Sequence, residues 1–135
     1  MSVTRPFTFR SDPAADPASV DTWVSLQLTT AEVNVLDSPF TAITSGPISV
    51  NWKNTGAEDI DIRILGSNSK LTATDEALTL PLLADIVQAS DQIDAGKGSS
   101  YTLQDAFYQF YYFQHKAAIG SAQGASLLHG RHGRL

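Results

Sequence analysis

Cysteine is absent from this chain of 135 residues. That excludes disulfides, thiolate metal sites and Cys nucleophiles, and leaves packing alone to hold the fold. Charge is scarce as well: 17% of residues are Asp, Glu, Lys or Arg, against about 25% in ordinary globular domains. Thr, Ser, Gln and Asn take up the difference, as they do in β-rich proteins with half-buried strands. No apolar run approaches the ~18–20 residues of a membrane span. The stretch from Met1 to Asp21 lacks the continuous apolar core of a secretory signal. No membrane contact is therefore expected, and the net charge of −5 argues against direct nucleic-acid binding.

What is present suits one domain, because a chain of this size hides roughly two-thirds of its unfolded surface without staples. Charge is unevenly placed. Residues 12–105 hold all 14 acids and only four bases, Lys53, Arg63, Lys70 and Lys97. Arg5, Arg10, Lys116, Arg131 and Arg134 lie at the two ends. An acidic body with basic ends fits a complementary neighbour, including another copy of the chain.

Residues 1–22 contain Pro6, Pro13 and Pro17 and show no periodicity. Proline removes a donor and extends the residue before it, so the stretch reads as an extended arm. Phe7 and Phe9 point the same way on an extended backbone, either in the domain's own sheet or, the favoured reading, against a neighbouring subunit. From Trp23 the pattern becomes short alternating segments. Trp23–Leu28 places Val24, Leu26 and Leu28 on one face. Ile48–Lys53 turns Ile48, Val50 and Trp52 inward, and Ile60, Ile62 and Ile64 alternate with Asp59, Asp61 and Arg63. The Asn54-Thr55-Gly56 turn between these two strands predicts an antiparallel hairpin. Residues 69–85 fit either one helical turn at Thr74–Ala77 or a loop. Residues 86–93 and 99–103 read as strands around the Ala95-Gly96-Lys97-Gly98 turn.

Phe107–Phe113 is the densest aromatic stretch, with Phe107, Tyr111 and Phe113 on one side and Tyr108, Phe110 and Tyr112 on the other. A strand apolar on both faces belongs in the middle of a sandwich or under an outside partner. The pattern predicts an all-β antiparallel sandwich, jelly-roll or Ig-like, of seven to eight strands. Its divisions are the Pro-rich arm at 1–22, the sandwich at 23–130 and a basic tail at 131–135.

Catalytic constellations are not visible. His115 sits on the aromatic strand as a satisfied histidine. His129 and His132 have a spacing that suits a metal but no rigid element or nearby acid. Asp59, Asp61, Asp91 and Asp94 do not match a calcium loop. Gly66–Lys70 follows a strand but lacks the glycine-lysine pairing of a phosphate loop. No enzyme activity, cofactor or metal is expected.

The run Asn54–Asn68 reads Asn-Thr-Gly-Ala-Glu-Asp-Ile-Asp-Ile-Arg-Ile-Leu-Gly-Ser-Asn, and Trp52 precedes it. Asp94-Ala95-Gly96, Phe110-Tyr111-Tyr112-Phe113 and Gly120-Ser121-Ala122 follow. Across residues 46–130 this resembles a pattern in small bacteriophage virion proteins, departing from it at Gln114 and His115 and in having no tryptophan after Asn68. The resemblance implies a β-sandwich building block of a phage particle: a head decoration or cement protein, or a tail component. The implied partners are the major capsid protein or other virion proteins and further copies of the chain, and the implied location is the virion. Interface candidates are Phe7 and Phe9 as anchors, Tyr108 and Tyr111 on the aromatic strand, and Arg5, Arg10, Arg131 and Arg134 at the rim. A different class of function is a carbohydrate-binding module, with Trp52, Tyr108, Tyr111 and Tyr112 as a stacking platform.

Overall fold

The computed structural model describes residues 4–10, 23–29, 36–37, 40–42, 46–70, 85–105, 107–118 and 125–133. These form strands β1 (Thr4–Arg10), β2 (Val24–Ser25), β3 (Gln27–Thr29), β4 (Leu36–Asp37), β5 (Phe40–Thr41) and β6 (Ile48–Asn54). They continue with β7 (Ile60–Ser67), β8 (Asp85–Ile93), β9 (Gly98–Leu103), β10 (Phe110–Ala117) and β11 (Ser126–Gly133). One sheet has the order β4-β3-β1-β11-β6-β9 and the other β2-β10-β7-β8, with β5 also on β10. Every pairing is antiparallel.

The all-β sandwich expected from alternation is present. The chain changes sheet at β1–β2, β2–β3, β4–β5, β5–β6, β6–β7, β8–β9, β9–β10 and β10–β11. That repeated crossing is jelly-roll topology, in which two sheets share one core.

β6 shows how sequence produces layer. Ile48, Val50, Trp52 and Asn54 are buried while Ser49, Asn51 and Lys53 are exposed, a strict period of two. The core joins Phe7 and Phe9 of β1, Phe40 of β5, three isoleucines of β7, and Tyr111 and Phe113 of β10. Phe7 and Phe40 lie with centroids 4.2 Å apart, and Phe9 meets Phe113 edge-on at 5.0 Å. Offset and edge-on aromatic contacts of this kind add about 0.5–1.5 kcal/mol each beyond area burial.

Four expectations are corrected. Thr4–Arg10 is not an arm on a neighbour: β1 lies inside the first sheet, paired with β11 on one side and β3 on the other. Two phenylalanines on one face offer more apolar surface than an exposed arm tolerates, and they are drawn into the core of their own domain. Residues 11–22 lie outside the described residues. Secondly, β6 and β7 do not form a hairpin, because they belong to different sheets. Asn54 closes that crossover: its Nδ2 donates to the Glu58 and Ile93 carbonyls (2.7 and 3.0 Å), and Gly56 N–H donates to its Oδ1 (2.9 Å). Thirdly, Trp23–Leu28 is not one strand. It passes from β2 in one sheet to β3 in the other at Leu26, whose N–H donates to Phe113 O (2.7 Å). Lastly, the basic tail begins later than residue 131. Arg131–Gly133 belong to β11, and His132 is buried edge-on against Phe40. Residues 71–84, including the undecided Thr74–Ala77, lie outside the described residues.

Candidate functional site

Three buried polar groupings serve the fold. His115 is fully buried with Nδ1 2.8 Å from Ser126 Oγ, and its Nε2 has no partner. Burial pulls its imidazole down to about 3, so the neutral ring occupies the core at neutral pH. On the outward side of the second sheet, Arg63 Nε donates to Gln114 Oε1 (2.7 Å) and Gln114 Nε2 donates to Ser25 Oγ (3.2 Å). The Arg63 guanidinium stacks 4.3 Å from the Trp23 ring, which Lys116 approaches at 4.7 Å. Burial lowers Arg63 to about 10. Desolvation raises the Asp61 carboxyl, and Lys116 opposes that shift. In the third, Asn54 holds its turn as described above.

The sequence-predicted interface residues separate into three groups. Phe7, Phe9 and Tyr111 are core residues and cannot be contact anchors. Alternation put Tyr111 on a face, but it could not say that this face is the interior. Trp52, Tyr111 and Tyr112 are likewise buried, so the proposed sugar-stacking platform is not assembled. Arg10 and Arg131 are exposed on one shared surface, the outward face of the first sheet. The Arg5 side chain and Arg134 lie outside what is described. Tyr108 is half-buried: its ring covers Gly66, where any Cβ would collide with it, and its hydroxyl donates to Asp85. That bond is the main reason the Tyr108 hydroxyl is held above its ordinary value.

His129 and His132 fall on opposite faces of β11, which rules out a shared metal. His129 is exposed beside Thr8 (3.2 Å), while His132 faces inward near Pro47 O (3.3 Å). Among the described residues no group of three metal-ligating side chains forms. The Gly66–Lys70 segment is closed on itself, with Ser67 Oγ donating to Ser69 O (2.7 Å).

Two surfaces remain, and sequence reasoning found only parts of them. The first is the outward face of β1, β11, β6 and β9. Register places Arg10, Leu127, Lys53 and Gly98 in one row and Thr8, His129, Asn51 and Ser100 in the next. Pro6, Arg131, Ser49 and Thr102 form the third row. Arg10, Lys53, Arg131 and His129 are exposed, and no carboxylate occupies these twelve positions. Within this face an open depression of about 590 Å³ has Leu127, Lys53, Lys97, Gly98 and His129 among its lining.

The second surface is the gap between edge strands β8 and β9. A cleft of about 390 Å³ has Val87, Leu103 and Tyr111 among its lining, with Asp105 and Tyr108 at its mouth. Tyr101 spans the two edges by donating to Asp91 (2.8 Å). Burial, then that bond, raises its hydroxyl to about 12. Phe107 also lines this cleft, yet it is 78% exposed. The expected grouping of Phe107 with Tyr111 and Phe113 fails because β10 begins only at Phe110. The signal was Asp105, a charged break between two apolar segments.

No protein-family profile and no curated protein matches the sequence. Three solved structures align with most of this chain. The crystal structure of PirA aligns at 13% identity over 96% of this chain and 93% of the other, with a TM-score of 0.44. A structure from Bacillus endospore appendages, described as a novel family of disulfide-linked pili, aligns at 12% identity over 98% and 88%, with a TM-score of 0.46. A chain of infectious bursal disease virus, Gx strain, aligns at 13% identity over 95% of this chain and 32% of that one, with a TM-score of 0.37. Likeness at this level bears on neither function nor partners.

Proposed function

We propose that the chain is a non-enzymatic building block of an assembled particle. In the reading that best fits its sequence motifs, it is a phage head decoration or cement protein that bridges subunits of the major capsid protein at the virion surface. The observation that carries this is Phe107. Most of the aromatic side chains described are buried or half-buried, and this one stands exposed at the mouth of an apolar cleft with polar groups around it. A large apolar side chain ringed by polar ones is the composition of an interface centre. His115 and Asn54 are inside, and Asp59, Asp91, Tyr101, Asn51 and Ser100 bond to protein partners. A cement role predicts that particles lacking this chain rupture at lower temperature or weaker osmotic shock than complete ones while still packaging DNA. If stripped heads are equally robust and the chain occurs only in tails, a tail-structural role replaces the cement role.

A further inference from the structure

We propose that the chain associates with a second copy of itself head to tail, Phe107 of one copy entering the depression beside Gly98 on the first sheet of the next. The two features are complementary in shape and charge. Phe107 projects just past the end of β9, accompanied by Asp105, with Asp85 across the cleft on Tyr108. The depression carries no acid. Leu127 supplies its apolar side chain, and Lys53, Lys97 and His129 also line it, while the Trp52 ring is turned into the core. Gly98 occupies the row of Lys53 and Leu127 without a side chain, which leaves the half-buried Leu127 in that row partly uncovered. A Cβ at Gly98 would come within 3.1 Å of Trp52 O. A cavity of about 150 Å³ accepts a benzene ring, so 590 Å³ admits the Phe107 ring with its flanking main chain.

One copy cannot fill its own depression. Gly98 and Leu103 are the two ends of β9, about 17 Å apart at strand rise, and Phe107 lies beyond the Leu103 end. The contact is therefore heterologous: each copy offers a different patch to each of two neighbours, and repetition gives a ring or an open chain. The net charge of −5 sets copies against one another at long range, but the sides that meet are of opposite sign. The inference rests on the same exposed Phe107 as the particle reading but concerns copies of this chain alone, so sedimentation of the pure chain and the robustness of stripped particles tell the two apart.

Sedimentation equilibrium of the purified chain tests it. Association is expected to grow with concentration at low salt and to weaken at least ten-fold at roughly 1 M salt, where the screening length is about 3 Å. Phe107→Ser and Lys97→Glu should each weaken it at least ten-fold without changing the thermal unfolding midpoint. Because the chain has no cysteine, paired thiols then report the geometry. Mixing equal amounts of Gln104→Cys and Ser100→Cys under oxidation should yield the mixed disulfide well above the half share that random pairing gives. A single monomeric species at millimolar concentration and low salt overturns the proposal. So does association indifferent to Phe107→Ser, or a mixed disulfide at or below the half share of random pairing.

Discussion

His115 joins sequence to stability at the scale of one residue. Its ring is buried and neutral, with only Ser126 as a bonded partner. In the unfolded chain the imidazole titrates near its ordinary ~6.5, whereas in the folded chain burial pulls it to about 3. Between those values the unfolded state holds the extra proton. Stability therefore rises with pH through that window and falls as pH drops from about 6.5 towards 3, by about 1.4 kcal/mol per unit. Urea unfolding between pH 7 and pH 4 should show this slope, and His115→Leu should flatten it. An unchanged slope in the variant would mean that carboxylates alone set the acid limit. The sequence suggested a satisfied histidine here. It gave no sign that one ring nitrogen lacks a partner, because that depends on what Ile62 and Ser126 bring from other strands.

Among elements, β1 decides how the domain is bounded. Phe7 and Phe9 pack against Phe40 and Phe113 from the opposite sheet, and the Phe7 ring lies over Gly130 where no Cβ fits. Truncating a buried Phe to Ala costs about 3–5 kcal/mol, comparable with much of a domain's 5–15 kcal/mol. Phe9→Ala should lower unfolding free energy by that amount, and deletion of residues 1–10 should abolish cooperative unfolding. A truncated chain that melts normally would return β1 to the role of an arm. The extended geometry of this segment was legible from the spacing of two phenylalanines. Its destination was not, because alternation fixes which side chains share a face but names no partner strand. The same limit explains the failed hairpin. β6 and β7 both alternate, yet their turn carries the chain across the sandwich, and only the bonds of Asn54 to Glu58 and Ile93 show why. β6 was readable residue by residue because one of its faces meets solvent. β7 is buried on both faces, so beyond Ile64 no alternation marks it, and only the turn residues Gly66-Ser67-Asn68 signalled its end at Ser67.

For the whole molecule, the sandwich turns a mildly acidic chain into a body with a cationic sheet face and an acidic, aromatic edge. Arg10 and Arg131 were recognised in sequence as basic ends. That they share a face follows from the register of β1 against β11, which no local pattern encodes. Phe107 was assigned to the aromatic strand, and the break at Asp105 instead leaves it outside, where a neighbour can bury it. The N-terminal aromatics close the domain, and in the proposed association Phe107 is kept for contact between chains. Hydroxyl-radical footprinting, read at individual phenylalanines in dilute and in assembled protein, tests both halves at once. Phe7 and Phe9 should be protected in both states, while Phe107 reacts rapidly in the dilute chain and becomes protected on assembly. Rapid labelling of Phe7 and Phe9 in the dilute chain, or a Phe107 reactivity that assembly leaves unchanged, would contradict the account.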